Sequence, residues 1–147
     1  MGIVIINGPN LNLIGRRNVA IYGSVSFGEF LDQLRSRFNG IPIGYLQTNH
    51  EGVIIDKLHE VGFSSSGILL NAGGYSHTSI SIRDAIEAIT TPVVEVHISD
   101  IYSREDFRRT SMLAEVCCTS IVGHGLEGYA EAIELLLSGN ISKPLNP

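Results

Sequence analysis

The sequence predicts an α/β fold in which a parallel sheet is covered by helices on both faces. Two observations lead to this prediction: short runs rich in valine and isoleucine recur along the chain, and segments with helical periodicity separate them. At 147 residues the chain has the size of one domain and is long enough to bury a core. We therefore expect a single domain over residues 1–147, with a loosely ordered tail over about 139–147.

Five apolar runs are interpreted as strands buried on both faces, because each is short and rich in residues that favour buried parallel strands. They cover residues 3–6, 43–48, 67–71, 93–98 and 119–123. When such strands alternate with helices, the connections are right-handed crossovers. The pattern indicates a flavodoxin-like three-layer sandwich whose five-stranded parallel sheet has the order 2-1-3-4-5.

Helical segments are predicted between these strands and at the end of the chain. The first begins after Ser26, whose spacing from Glu29 is that of a capping box, and Gly40 marks its exit. Its apolar stripe consists of Phe27, Phe30, Leu31, Leu34 and Phe38. Similar spacing predicts helices within residues 51–62, 81–90 and 128–140, and a short helical turn within 103–110.

The composition narrows the class of ligand. A formal net charge of -5 without any run of lysine or arginine argues against a nucleic-acid or anionic-membrane surface, so small molecules are the expected ligands. The first residues lead directly into a strand, and no apolar run could span a bilayer, which predicts a cytoplasmic protein. Cys117 and Cys118 are adjacent, so they cannot form a disulfide that cross-links the fold. They are interpreted as small buried hydrophobic residues.

Polar residues follow the carboxyl ends of the predicted strands. Because the carboxyl ends of parallel strands meet at one edge of the sheet, where ligands bind, scattered side chains should converge there. The set comprises Asn10, Arg17, Tyr22, Asn71, His77, His97, Ser99 and Arg108. Its many hydrogen-bond donors suit a ligand with a carboxylate and several hydroxyls.

Each of these residues also has a purely structural interpretation. Asn10 could form a turn, Arg17 could lie on a solvated loop face, and Tyr22 could anchor the core. His97 lies within an apolar strand and is either a core histidine with a satisfied ring or an acid–base group. Placement alone leaves both alternatives open.

A second class of function is a flavodoxin-like domain that binds a flavin or a nucleotide. Residues 123–128 match G-x-G-x-x-G, but the chain ends before the second strand and acidic residue that a dinucleotide site requires. A tight turn that lets the last helix pack close to the sheet is the preferred interpretation. The histidines have no metal-ligand spacing, so no metal site is expected.

Several blocks occur in the order and spacing of the type II 3-dehydroquinate dehydratases. They are NGPNLNL, IYGS, NHEGVIIDKLHE, NAGGYSHTSISIRDAI, PVVEVHIS and REDFRR, and the resemblance runs from about residue 3 to residue 135. It implies a lyase that converts 3-dehydroquinate to 3-dehydroshikimate in the shikimate or quinate pathway by anti elimination through an enolate. It also implies a flavodoxin-like catalytic domain without a cofactor, assembled from trimers into a dodecamer.

The resemblance implies that Tyr22 is the base and acts as a phenolate. An unperturbed phenol has a pKa near 10, so it needs help to ionise at neutral pH, and Arg17 is similar to the residue that provides a neighbouring positive charge. Asn10 and the amides of residues 71–73, including that of Gly73, would position the water or the hydrogen bonds that stabilise the enolate.

The remaining roles also come from the resemblance. His97 resembles the general acid that protonates the leaving hydroxyl, and Glu95, two residues earlier on the same strand face, would orient it. The expected substrate contacts are Asn71 with the backbone around Ile98 and Ser99 for the carboxylate, His77 and Arg108 for the ring hydroxyls, and Asp84 from a neighbouring subunit.

The chain departs from the family pattern at Asn18, where an acidic residue is usual, at Asp100, where asparagine is common, and at His124. The type I enzymes for the same reaction use a lysine Schiff base. This chain has only Lys57, on a predicted helix, and Lys143, in the tail, so neither is expected at the rim.

Overall fold

The computed structural model describes residues 2–16, 19–22 and 24–144, with only the backbone described at residues 21 and 22. Its five strands form one sheet of all-parallel pairs with the order β2-β1-β3-β4-β5. The predicted fold and strand order are therefore confirmed. The strands are β1 Ile3–Asn7, β2 Ile43–Gln47, β3 Gly67–Asn71, β4 Val93–His97 and β5 Thr119–Val122.

Helices cover both faces of the sheet. The α-helices are α1 Val19–Tyr22, α2 Phe27–Arg37, α3 Glu51–Val61, α4 Ile80–Ala88 and α5 Glu127–Ser138. One apolar cluster joins α2 and α5 to the face that carries Ile3 and Ile5, and a second joins α3 and α4 to the face that carries Ile6. These are the two packing layers that alternation along a buried strand produces.

The predicted helix starts and turns match the structure closely. The Ser26 side chain accepts a hydrogen bond from the backbone N–H of Glu29, as the first half of a capping box requires. The turn predicted within residues 103–110 is present as a 3-10 turn, Asp106–Arg108. Further 3-10 turns are Leu11–Leu13, Gly73–His77 and Ile101–Ser103.

The prediction that every strand is buried on both faces is wrong for β2 and β5. In β2 only Ile43 is buried, and in β5 only Ile121, because both are edge strands with a single neighbour. The expectation for the cysteines is right for Cys117, which is buried, but Cys118 is only partly buried. Both thiols are free and precede β5, and burial raises the pKa of each.

The glycine-rich segment 123–128 forms a turn that leads into α5. Gly123 and Gly125 have positive φ angles of 83° and 60°, and a Cβ on Gly128 would lie 3.2 Å from the side chain of Ile121. The segment therefore brings the last helix against the sheet. His124, unexplained by the sequence, lies 2.6 Å from Glu131 of α5.

Neither lysine lies at the carboxyl edge of the sheet. Lys57 pairs with Glu60 on α3 at 3.1 Å, and the ammonium of Lys143 donates to the carbonyls of Ile86, at 2.8 Å, and of Ile89. No helix within the described residues is long and apolar enough to cross a bilayer.

Candidate active site

The register of the sheet aligns the ends of three strands. Asn7, Gln47 and Asn71 are Cα partners at the ends of β1, β2 and β3, and His97 ends β4. A cavity of about 160 Å³ opens beyond this edge. It is lined by Pro9, Asn10, Leu11, Asn71, Gly73, Gly74, His77, His97, Ile98, Ser99, Ile101, Arg104 and Arg108.

The loops after β1 and β3 pack against each other and form one wall of this cavity. A Cβ on Gly8 would lie 2.6 Å from the carbonyl oxygen of Ala72, so this contact requires glycine. Gly73 has a φ of 60° and Asn10 a φ of 68°, a region that asparagine tolerates better than most residues. The backbone N–H of Asn10 donates to Oδ1 of Asn49 at 3.1 Å, which fixes the loop.

A buried imidazole–carboxylate pair lies at the end of β4. Nε2 of His97 is 2.9 Å from Oε2 of Glu95, and the two side chains are 6% and 1% exposed. Nε2 of His97 makes no contact that has the geometry of a hydrogen bond, so this is a close imidazole–carboxylate contact, and it is an ion pair only when the ring is protonated. Since His97 also lines the cavity, the pair links a buried carboxylate to the ligand space.

Two hydroxyls hold the carboxylate of Glu95. Ser120 donates to Oε1 at 2.6 Å, and Ser111, from the segment before β5, donates to Oε2. Burial alone would raise the pKa of Glu95, but the contacts with His97, Ser111 and Ser120 outweigh it and hold the pKa below its ordinary value. The carboxylate is thus ionised at neutral pH and stabilises positive charge on the ring beside it.

The ring of His77 lies beside that of His97, and both residues line the cavity. The ring centroids are 6.2 Å apart with an interplanar angle of 25°. Nδ1 of His77 lies 2.8 Å from the carbonyl oxygen of Thr110, and because a carbonyl only accepts, Nδ1 carries the proton. In the neutral ring Nε2 is then an acceptor, which suits a ligand hydroxyl.

Two arginines bring positive charge to the cavity. Arg108 donates through Nε to Oε2 of Glu105 at 2.8 Å, and its guanidinium lies 5.1 Å from the ring centroid of Phe107. Arg104 has its Nη1 3.5 Å from Oγ of Ser99, and both residues line the cavity. Guanidinium groups at this edge favour an anionic ligand.

Most of the site residues predicted from the sequence lie around this one cavity: Asn10, Asn71, Gly73, His77, His97, Ile98, Ser99 and Arg108. Glu95 lies behind His97. Asp84 is exposed on α4 and does not line the cavity. Arg17 and the side chain of Tyr22, like Asn18, fall outside the described residues.

Several residues that the structure brings into the site were not predicted from the sequence. Arg104 lines the cavity, and its position four residues before Arg108 in an arginine-rich turn was the available signal. No sequence signal identifies Ser111 or Ser120, which hold Glu95. Asp100, a departure from the family pattern, caps the turn Ile101–Ser103 by accepting from the N–H of Tyr102 at 3.0 Å.

Among the residues that the structure describes, the cavity lining combines amides, imidazoles, guanidinium groups and the hydroxyl of Ser99, and the carboxylate of Glu95 lies behind the ring of His97. Such a set can bind an anionic polyhydroxy compound and can deliver a proton from an imidazole. Within the described ranges, no group of three or more His, Cys, Asp or Glu residues could hold a metal ion. Neither lysine lines the cavity, so imine chemistry has no nucleophile there.

Comparison with known proteins gives a consistent result. The model of the family Dehydroquinase class II matches residues 1–137. A 3-dehydroquinate dehydratase of an Exiguobacterium species is 50% identical over 138 residues, which are 93% of this chain and 94% of the relative. The Thermotoga maritima protein of the same name is 44% identical over 138 residues, covering 92% and 94%.

A solved structure has the same fold over nearly the same length. The crystal structure of a type II dehydroquinase from Butyrivibrio crossotus is similar with a TM-score of 0.89 and 42% sequence identity. The match covers 93% of this chain and 97% of that one.

Proposed function

Because the chain belongs to the class II dehydroquinase family, whose members are 3-dehydroquinate dehydratases, we propose that its cavity dehydrates 3-dehydroquinate to 3-dehydroshikimate. The observation that carries this proposal is the buried contact between Glu95 and His97, at the wall of a cavity lined by amides and arginines. The reaction belongs to the shikimate pathway, and the proposed location is the cytoplasm.

The first step removes a proton from the carbon beside the ketone. Tyr22, as a phenolate, accepts this proton, and the electron pair of the broken C–H bond forms an enolate. Arg17 stabilises the phenolate, because nearby positive charge favours the ionised form of a phenol. Asn10 acts on the enolate side, where a fixed donor lowers the free energy of the developing charge. The backbone N–H of Gly73 donates to Oδ1 of Asn71, so Gly73 contributes to this wall through its backbone shape.

The second step expels the hydroxyl on the opposite face of the ring. His97 gives its proton to the leaving oxygen, the C–O bond breaks, and the enolate electrons form the new C=C bond, so water leaves by anti elimination. Glu95 is ionised and stabilises the protonated ring before this transfer. To complete the cycle, the phenol of Tyr22 loses one proton and the ring of His97 regains one.

The substrate contacts follow from the donors at the cavity wall. Asn71 and the backbone around Ile98 and Ser99 bind the carboxylate, and His77 and Arg108 bind the ring hydroxyls. For His77 this role is supported by the proton on Nδ1, which leaves Nε2 to accept a hydroxyl proton.

The direct test of this function is an assay with purified protein and 3-dehydroquinate. We expect a colourless protein that generates the enone absorbance of 3-dehydroshikimate without added cofactor. A flavin spectrum in the purified protein, together with no enone signal, would instead support the alternative of a flavodoxin-like flavin- or nucleotide-binding domain. This alternative is the weaker candidate, because residues 123–128 form a turn that brings the last helix against the sheet.

The active enzyme is proposed to be a homo-oligomer of trimers assembled into a dodecamer, in which Asp84 reaches the site of a neighbouring subunit. Asp84 is exposed on α4 and away from the cavity of its own chain, so it is available for such a contact. No nucleic acid or membrane partner is part of this proposal.

Mixing inactive subunits tests the role of Asp84. Asp84→Ala and Tyr22→Phe proteins should each lack activity, and exchange of their subunits should restore part of it, because some sites then combine an intact Tyr22 with a neighbour's intact Asp84. Turnover is measured after subunit exchange has been verified with labelled subunits.

The matched control mixes Tyr22→Phe with His97→Ala. Both substitutions affect the same half of the site, so no mixed assembly contains an intact site and activity should stay absent. If the Asp84→Ala mixture also fails to recover after verified exchange, the site is built from one chain.

A further inference from the structure

A chain of buried hydrogen bonds runs from α5 to the loop that lines the cavity. The hydroxyl of Tyr129 donates to Oδ1 of Asn7 at 2.7 Å, and Nδ2 of Asn71 donates to the same hydroxyl at 3.1 Å. Oδ1 of Asn71 in turn accepts from the backbone N–H of Gly73 at 3.1 Å. At the far end, Nδ2 of Asn7 lies 3.4 Å from the hydroxyl of Tyr45.

The donors and acceptors in this chain fit together in one way only. A phenol has a single proton, which Tyr129 gives to Asn7, so its oxygen can only accept from Asn71. If the amide of Asn71 were reversed, its NH₂ group would face the N–H of Gly73, and two donors would meet. The chain therefore sets which end of the Asn71 amide points in each direction.

Tyr129 is well suited to hold such a position. It is fully buried, and its ring packs edge-on against Phe27 with the centroids 5.0 Å apart. Burial raises the pKa of Tyr129 above its ordinary value, so the hydroxyl keeps its proton and its direction of donation across the physiological range. Asn7 is 0% exposed, so water does not compete for its oxygen.

Asn71 is the member of the chain that meets the cavity. It is 4% exposed and lines the cavity wall. An amide nitrogen has two N–H groups, and only one is used by Tyr129. The second N–H is the donor that Asn71 can offer to a ligand. The side-chain oxygen of Asn71 already accepts from the N–H of Gly73 and is not the group offered to the ligand.

We propose that Tyr129 is a positioning residue that fixes the amide of Asn71 so that its free N–H, and not its oxygen, faces the substrate carboxylate. This inference rests on the proposed function, in which Asn71 binds that carboxylate. Tyr129 itself does not line the cavity, so it acts on the substrate only through Asn71.

Tyr129→Phe tests the proposal, since the ring stays and only the hydroxyl is lost. Two ligands are compared by calorimetry: shikimate and the neutral compound in which its carboxylate is replaced by a carboxamide. We expect Tyr129→Phe to weaken shikimate binding about tenfold, which is the effect of losing a well-oriented hydrogen bond to a charged group. The affinity for the carboxamide should change by less than about twofold. With 3-dehydroquinate, KM should rise more than kcat falls.

If Tyr129 had only a structural role, Tyr129→Phe would weaken the binding of both ligands equally. That outcome, or unchanged binding of both ligands, would overturn the proposal. Failure of the proposed function is recognised separately, because the wild-type protein would then not convert 3-dehydroquinate. The control is Tyr45→Phe, which removes the distal hydroxyl of the same chain and should change the ligand preference by less than about twofold, since a contact of 3.4 Å is weak.

Circular dichroism establishes that each variant is folded under the conditions of the binding measurements. If Tyr129→Phe does not fold, Asn7→Ala replaces it. That variant leaves the hydroxyl of Tyr129 free to donate in either direction, so the preference for shikimate over the carboxamide should fall in the same way. An unchanged preference in Asn7→Ala would contradict the proposal.

Discussion

Tyr22→Phe is expected to lower turnover of 3-dehydroquinate by about two to four orders of magnitude, the usual cost of losing a general base. The substitution keeps the aromatic ring and removes only the oxygen that accepts the proton. Because the proposed contacts to the carboxylate and hydroxyls come from other residues, affinity for a substrate analogue should stay nearly unchanged. The loss therefore falls on kcat.

Steady-state kinetics and analogue binding measure the two effects separately. The matched control is Tyr102→Phe, which removes a phenol oxygen from a side chain that is 60% exposed on the turn after β4 and should leave turnover unchanged. A Tyr22→Phe enzyme that keeps more than about a tenth of the wild-type rate would contradict the assignment, since base loss costs at least about a hundredfold.

The fold could be predicted from the sequence because each element carries its own local signal. The apolar runs and the stripe of α2 depend on residues that are neighbours in sequence, and the capping pair Ser26 and Glu29 is a local motif as well. The error at β2 and β5 arose because a strand's place at the centre or edge of a sheet depends on the global order of strands. Both edge strands have apolar runs that resemble those of the centre.

Much of the site could be predicted for one physical reason. In a parallel sheet the carboxyl ends of all strands, and the loops that follow them, lie at the same edge. Asn10, Asn71, His77 and His97 could therefore be grouped without knowledge of their distances. The resemblance then supplied chemical roles that placement alone left open. For His97, placement alone does not distinguish a core ring from an acid–base group.

The residues that support the site could not be predicted in this way. Ser111 and Ser120 lie 16 and 25 residues from Glu95 in sequence, and their hydroxyls reach it only because the segment before β5 and β5 itself pass beside β4. Tyr129 has the pattern of a core aromatic on α5, and only the structure reveals its hydroxyl between two asparagines. Such contacts depend on the packing of distant elements, which carries no local signature.

His97→Ala is the second substitution with a large expected effect. Loss of the general acid should lower dehydration by about two to four orders of magnitude, because the hydroxyl would leave without a proton. The structure makes this variant informative, since Glu95 stays held by Ser111 and Ser120 when the ring is gone. His59→Ala, at an exposed position on α3, is the matched control and should leave the rate unchanged.

Proton exchange in His97→Ala tests most directly the central claim, that Tyr22 removes the proton and His97 separately protonates the leaving group. The variant is incubated with 3-dehydroquinate in D₂O, and NMR follows the exchange of the proton beside the ketone together with the formation of product. We expect enzyme-dependent exchange to continue while dehydration is lost, because the base remains in place. If exchange and dehydration disappear together, although the variant binds substrate, the two roles are not divided between Tyr22 and His97.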